Sequence, residues 1–149
     1  MQGSPAPQGA AAKQHIPCDR CAFPVLPAFR FRFSVQNGAM RVLATPLLFW
    51  ADGMTLSPGL VVVHPRVRRD AGLLAHEGVH GRQMREVGLL RFWWWYFTNP
   101  AFRLWAEVEA YRVSLRHQPA GLQHFARAIA HGYLLRIREE EAARLIAGR

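Results

Sequence analysis

A long segment of helical periodicity, from Asp70 to Val87, constrains the fold of this chain most strongly. One side chain in every three or four along it falls on a single stripe, the pattern of a helix with one buried face. The stripe consists of Leu73, His76, His80, Met84 and Val87. Asp70 is the predicted N-cap. Gly72, Gly78 and Gly81 each cost this helix roughly 1 kcal/mol relative to alanine, so we expect packing or a bound metal to offset them.

Two histidines of that stripe belong to the sequence His-Glu-Gly-Val-His at positions 76–80. Residues four apart on a helix lie about 40° apart around the axis and about 6 Å apart along it. The imidazoles of His76 and His80 can therefore reach one metal ion. Glu77 lies about 100° further round, where it can take a proton from a water at the metal. Zinc suits such ligands, so we predict a Zn²⁺ site with Glu77 as catalytic base.

A third ligand is expected from the next long helix, predicted over residues 100–117, which contains Glu107 and Glu109. Side chains two residues apart point about 200° away from each other around a helix, so only one of these glutamates can face a given ion. On the helical wheel Glu109 lies beside the apolar face, whereas Glu107 lies among polar residues. A buried carboxylate is costly unless it is paired or bound to a metal. We therefore predict Glu109 as the ligand and keep Glu107 as the alternative.

At this point the residues resemble a known family. The sequence HEGVHGRQM, from His76 to Met84, is followed by a helix that carries Glu-Ala-Tyr at 109–111. This combination is similar to that of the small gluzincin-type zinc metallopeptidases, over about residues 54–116. Gln83 fits the HExxHxxQ extension of the motif.

The resemblance implies a zincin-like domain that cleaves peptide or protein substrates. By resemblance, zinc is held by His76, His80 and Glu109, and Glu77 is the general base. Val113 stands where thermolysin-like relatives carry an aspartate that orients a ligand histidine. The resemblance therefore supplies no residue for that orienting role.

Other groups are expected around the metal. An oxyanion-stabilising side chain should complete a hydrolytic site, and we select Tyr133, although a purely structural role is the alternative for every candidate. The strand predicted at Leu60–His64 either lines the cleft and pairs with an extended substrate or has no catalytic role. The oxyanion candidates are Tyr111, Tyr133, His117, His124 and His131.

The predicted fold class is α+β, with a small, mostly antiparallel sheet at the N-terminal side and a helical zincin-like half that carries the metal site. Residues 1–16 are predicted as a disordered tail and residues 17–149 as a single metallopeptidase domain. The predicted strands are a hairpin over 28–44 with its turn at Asn37-Gly38, then 54–56 and 60–64. The predicted helices are 70–87, 100–117, 121–132 and 138–147.

The charge, the cysteines and the hydropathy of the chain indicate which binding partners and which compartment to expect. The net charge is +9, but the arginines are spread along the chain, so we expect no nucleic-acid partner. Cys18 and Cys21 are expected to be free thiols, with half of a zinc ribbon or a redox pair as alternatives. We find no secretory signal and no apolar run of the roughly 20 residues that a membrane span needs, and we predict a cytoplasmic protein.

An aromatic run, Phe92–Phe97, has three interpretations. It packs between helices, it contacts a membrane or a protein partner, or it lines a substrate pocket. The alternative to an enzyme is accordingly a non-catalytic, zinc-stabilised or membrane-interface binding protein with a vestigial site. The oligomeric state is not predicted.

Overall fold

A computed structural model describes residues 40–48 and 51–148, which belong to a compact unit spanning 37–149. In this part of the chain, three strands precede five α-helices. The strands are β1 (Arg41–Ala44), β2 (Gly53–Ser57) and β3 (Leu60–Val63). The helices are α1 (Ala71–Val87), α2 (Leu89–Thr98), α3 (Pro100–His117), α4 (Leu122–Gly132) and α5 (Glu139–Ala147). The predicted α+β class is confirmed, whereas the zincin-like fold stays a prediction.

The sheet is mixed, with strand order β1-β3-β2. β3 pairs parallel with β1 and antiparallel with β2, so the expectation of a mostly antiparallel sheet is corrected. β3 is the central strand, and its three consecutive valines, 61–63, are all buried. Because successive side chains of a strand point to opposite faces, both faces of β3 are covered. The strands predicted at 54–56 and 60–64 are confirmed. The first strand of the predicted hairpin and the boundary at residue 16 lie outside the described residues, as do Cys18 and Cys21.

Helices α1 and α3 begin where their predicted caps place them. Asp70 Oδ1 accepts a hydrogen bond from the Leu73 amide at 3.0 Å, and α1 ends at Gly88, whose φ of 92° favours glycine. Asn99 Oδ1 accepts hydrogen bonds from the first free amides of α3, which begins at Pro100. The four predicted helices are confirmed. The aromatic run forms one more helix, α2, for which no secondary structure was predicted.

Helix α3 lies at the centre of the helical part and packs on three sides. Val108 contacts the apolar cluster formed with α4 and α5, while Ala106 contacts Met84 and Phe92 of α1 and α2. A third side, which contains Glu107, Ala110 and Ser114, is also buried. The buried arc of α3 therefore extends over roughly 200° of its circumference. No helix in the described ranges is long and apolar enough to cross a membrane.

Candidate metal centre

Three buried side chains from α1 and α3 converge on one point. His76 and His80 face α3 one helical turn apart, and their Nε2 atoms lie 3.2 Å from each other. From α3, Glu107 Oε2 lies 3.6 Å from His76 Nε2, and Glu107 Oε1 lies 3.5 Å from His80 Nε2. These are the chemical types of ligand that zinc takes in hydrolases, two imidazoles and one carboxylate.

The spacing of these atoms matches a zinc coordination shell. Zinc binds imidazole nitrogen and carboxylate oxygen at about 2.0–2.2 Å in a tetrahedral arrangement, so its ligand atoms lie about 3.3–3.6 Å from one another. The imidazole nitrogens, 3.2 Å apart, are close to such an edge, while the separations of 3.5 and 3.6 Å run to the two different oxygens of Glu107. One ligand atom from each of the three residues lies within 4.8 Å of the others. The residues therefore fit a divalent ion held by three protein ligands, which leaves the fourth position open.

Glu107 carries an unsatisfied oxygen at this point. The side chain is 1 % exposed, and Tyr96 donates a hydrogen bond of 2.5 Å to its Oε1. Its Oε2 is buried and has no hydrogen-bond partner. Burial by itself raises the pKa of this carboxyl, but the hydrogen bond from Tyr96 and the neighbouring imidazoles of His76 and His80 outweigh burial and hold the pKa below its usual range. A buried, ionised, partly unpartnered carboxylate is a group that a cation would satisfy.

The choice between the two glutamates is therefore corrected. Glu107, the predicted alternative, faces the histidines, whereas Glu109 does not. Glu109 accepts hydrogen bonds instead from Arg82 at 2.8 Å and from Gln83 at 2.7 Å, and it is only partly buried. The helical wheel misled because it assumed a single buried face, whereas the polar side of α3 is buried against α1.

Each histidine has a partner on its other ring nitrogen. Gln83 Oε1 lies 2.9 Å from His80 Nδ1, and Ser114 Oγ lies 3.5 Å from His76 Nδ1. Ser114 Oγ also donates to the carbonyl of Gly72, which leaves its lone pairs free for an Nδ1–H. Such partners orient metal-binding imidazoles so that Nε2 presents its lone pair to the ion. Neither of these orienting roles was predicted from the sequence.

Glu77, the predicted base, lies at the edge of the sheet. Its Oε2 accepts a hydrogen bond of 2.7 Å from Thr55 Oγ1, on β2. Its other oxygen, Oε1, lies beside Gly53, where a Cβ atom would come within 2.9 Å. The absence of a side chain at position 53 therefore keeps space open next to the carboxylate. No sequence signal connected β2 with the base, because the two are more than twenty residues apart.

All three tyrosines of the chain lie around the site. The hydroxyl groups of Tyr111 and Tyr133 are 3.1 Å apart, and the Tyr111 ring packs edge-on against His76 with centroids 4.5 Å apart. Burial is the main cause that raises the pKa of Tyr96, Tyr111 and Tyr133, so each keeps its proton at neutral pH. The structure thus places the predicted Tyr133 at the site, together with two more hydroxyl donors, of which Tyr96 was missed.

A cavity of about 720 Å³ opens on these groups. The candidate metal ligands, Glu77 and the three tyrosines all line it, and so do residues 53–55 of β2 and His124. Of the other candidate histidines, His131 pairs instead with Glu139 at 2.9 Å, on an exposed surface. β3, which we considered as a substrate-binding strand, is hydrogen-bonded on both sides. Among the described strands, β2 is the edge strand that reaches the cavity.

The aromatic run divides between two of its three predicted roles. Phe92 is 1 % exposed in the core, and Trp93, Tyr96 and Phe97 line the cavity wall. On the outer side of α2, Leu90, Trp94 and Phe97 are 85, 68 and 69 % exposed. We call these three residues the α2 patch. Packing and pocket lining are thus both observed, and the patch leaves the third role, surface contact, as a prediction.

Comparisons with known proteins identify no relative: no family model, no curated protein and no solved structure matches this chain.

Proposed function

We propose that this protein is a zinc-dependent hydrolase, and that its substrates are peptides or proteins. The observation that carries the proposal is the convergence of His76, His80 and Glu107, each with a ligand atom within 4.8 Å of the others, with a buried Glu107 oxygen that receives no hydrogen bond from the described residues. The zincin-like fold and the gluzincin relationship belong to this proposal and rest on the motif, because no comparison supports them.

Zinc at such a site supplies a water with a pKa of about 7 and polarises a carbonyl group. Glu77 is then the group that takes the proton, because its carboxylate follows His76 directly on α1 and lines the same cavity. Thr55 binds one of its oxygens, which orients the carboxylate and leaves the oxygen beside Gly53 for the water.

The tyrosines are suited to the stabilisation of developing negative charge. Their raised pKa values keep them protonated, so they can only donate or accept hydrogen bonds and do not add charge. Tyr133 shares its hydroxyl with Tyr111 and is free to redirect it toward an oxyanion in the cavity. Tyr96 has a different role, since its hydroxyl already donates a hydrogen bond to Glu107.

The preference for a peptide substrate rests on β2. This strand is an edge strand within the described residues, and Gly53–Thr55 lie along the cavity next to Glu77. An extended peptide can add to such an edge through main-chain hydrogen bonds. The apolar wall formed by Phe92, Trp93 and Phe97 would then take an apolar side chain.

Metal analysis and hydrolysis assays test the proposal. We expect about one zinc per wild-type chain, with loss of zinc in both His80→Ala and Glu107→Ala. Glu77→Gln should keep the zinc and lose hydrolysis of a broad peptide library. Wild-type protein that holds no zinc, or that loses none of it in Glu107→Ala, contradicts the proposed site. Zinc binding without any hydrolysis favours a binding protein with a vestigial site.

The α2 patch favours a second function, attachment to an anionic membrane surface. Its three large apolar side chains lie in solvent, and contiguous exposed patches of this kind mark interaction sites. α2 has no acidic residue, Arg91 lies on the same helix, and the net charge is +9. Tryptophan, phenylalanine and arginine together suit an anionic headgroup region.

Vesicle binding tests this second function. We expect the full chain to sediment with vesicles of mixed phosphatidylcholine and phosphatidylglycerol, less so at high salt, and not with phosphatidylcholine alone. Leu90→Ser should weaken this binding. Leu47→Ser is the matched control, because Leu47 is 76 % exposed but follows β1, at the opposite edge of the sheet from β2. Equal loss in both variants, or self-association that Leu90→Ser abolishes, contradicts the membrane assignment.

A further inference from the structure

Glu109 does not reach the two histidines, but a chain of hydrogen bonds connects it to His80. Gln83 Nε2 donates to Glu109 Oε2 at 2.7 Å, and Gln83 Oε1 lies 2.9 Å from His80 Nδ1. On the far side, Arg82 donates to Glu109 Oε1 at 2.8 Å. Gln83 is completely buried, so its amide must find its hydrogen bonds among neighbouring groups of the protein.

The chemistry of the acceptor decides how this amide is turned. An ionised carboxylate only accepts hydrogen bonds, so the NH₂ group of Gln83 must face Glu109. The carbonyl oxygen of Ala106, 3.3 Å from the same Nε2, is also an acceptor and favours the same orientation. The carbonyl oxygen of Gln83 therefore faces His80, and a neutral His80 must carry its proton on Nδ1. Its Nε2 then presents a lone pair toward His76 and Glu107.

We propose that Glu109 is a positioning residue that acts through Gln83, holding His80 in the tautomer and orientation that can bind a metal. The inference rests on the proposed metal site for its purpose, but its hydrogen-bond chain is a property of the protein alone. It also fills the orienting role for which Val113 offers no carboxylate. Arg82 and Gln83 each donate to one oxygen of Glu109, so the carboxylate acts as an acceptor on both sides.

The tautomer of His80 in the metal-free protein tests the chain directly. In ¹⁵N NMR spectra at a pH where histidine is neutral, we expect the His80 proton on Nδ1 in the wild type. Gln83→Leu removes the acceptor, so this preference should be lost. Glu109→Ala should reduce it, and Glu109→Gln should restore part of it, because a glutamine at 109 still offers an oxygen to Gln83.

Zinc affinity provides the second readout, as a double-mutant cycle. Loss of a residue that orients a metal ligand typically weakens metal binding 10–100-fold. We expect a loss in that range for Gln83→Leu and about 10-fold for Glu109→Ala, since the Ala106 carbonyl still holds the amide. The double variant should bind zinc no more weakly than Gln83→Leu alone, because Glu109 acts through Gln83.

Glu86→Ala is the matched control. Glu86 also pairs with Arg82, at 3.6 Å, and its side chain is 32 % exposed against 27 % for Glu109, but it makes no hydrogen bond to Gln83. We expect it to leave both the tautomer and the zinc affinity unchanged.

The outcomes separate this inference from the proposed function. A wild-type protein that binds no zinc contradicts the hydrolase proposal. In that case the NMR experiment still decides whether Glu109 sets the His80 tautomer. A wild type that binds zinc, together with wild-type affinity and tautomer in Glu109→Ala, overturns the positioning role. Additive losses in the double variant overturn it as well, because Glu109 would then act by another route.

Discussion

The three tyrosines around the site make a prediction that needs neither metal nor substrate: alkaline pH unfolds this protein through them. The chain contains no other tyrosine, so the absorbance gained at 295 nm on tyrosine ionisation comes from these side chains alone, above the background of the five tryptophans. In an unfolded chain they ionise near pH 10. In the folded protein, burial raises the pKa of each well beyond that value.

The sign follows from the protons bound by each state. Above pH 10 the unfolded chain releases protons that the folded protein keeps, so the free energy of unfolding falls as pH rises. The contribution of the buried, protonated tyrosines to stability is fully present below about pH 10 and is lost progressively above it. One pH unit is worth 1.36 kcal/mol per group, so by pH 12 each tyrosine costs up to about 2.7 kcal/mol, and all three up to about 8 kcal/mol. This approaches the whole stability of a typical domain, about 5–15 kcal/mol.

The assay is a pH titration of the metal-free protein, recorded by absorbance at 295 nm and by far-ultraviolet circular dichroism. We expect both signals to change together between about pH 10.5 and 12, in one cooperative transition. In Tyr133→Phe the absorbance change should fall by a third. The loss of unfolding free energy between pH 9 and pH 12 should shrink by up to about 2.7 kcal/mol. Tyrosines that titrate near pH 10 while the helical signal is unchanged would refute the buried arrangement.

Four further substitutions extend the test to the metal site and the helices. Zinc at a thousandfold excess over its Kd adds about 4.1 kcal/mol of stability, and we expect Glu107→Gln to lose most of this gain in calorimetry with and without chelator. Gly53→Ala places a methyl group against Glu77 Oε1. This variant should keep zinc but lower kcat on the order of 100-fold. A kcat equal to that of the wild type would contradict the role of Glu77. Gly78→Ala meets open space on the same helix and should raise the unfolding free energy by about 1 kcal/mol, measured by urea denaturation. Asn99→Ala removes the cap of α3. The lost cap should lower the unfolding free energy by about 1 kcal/mol, and thus Tm by about 2–4 °C. An unchanged Tm would show that the cap is dispensable.

The sequence by itself determined the elements whose causes are local. A helix with His76 and His80 on one stripe follows from 3.6-residue periodicity, and its start follows from Asp70. The surroundings of the glycines in α1 could be known only from the structure. Gly81 approaches the Pro58 carbonyl, where a Cβ would lie at 3.1 Å, whereas Gly78 has open space. Sequence assigned both the same local cost.

Only the tertiary structure decided which carboxylate faces the histidines and which strand faces the cavity. A helical wheel divides a helix into one buried and one exposed side. α3 is instead covered by α1, by α2, and by α4 with α5, so its polar side is buried as well. Glu107 consequently lies with His76 and His80, whereas Glu109 is connected to His80 only through Gln83. Likewise, within the described residues, β3 is central and β2 is an edge strand, because strand order depends on pairing between distant segments, which no local pattern encodes.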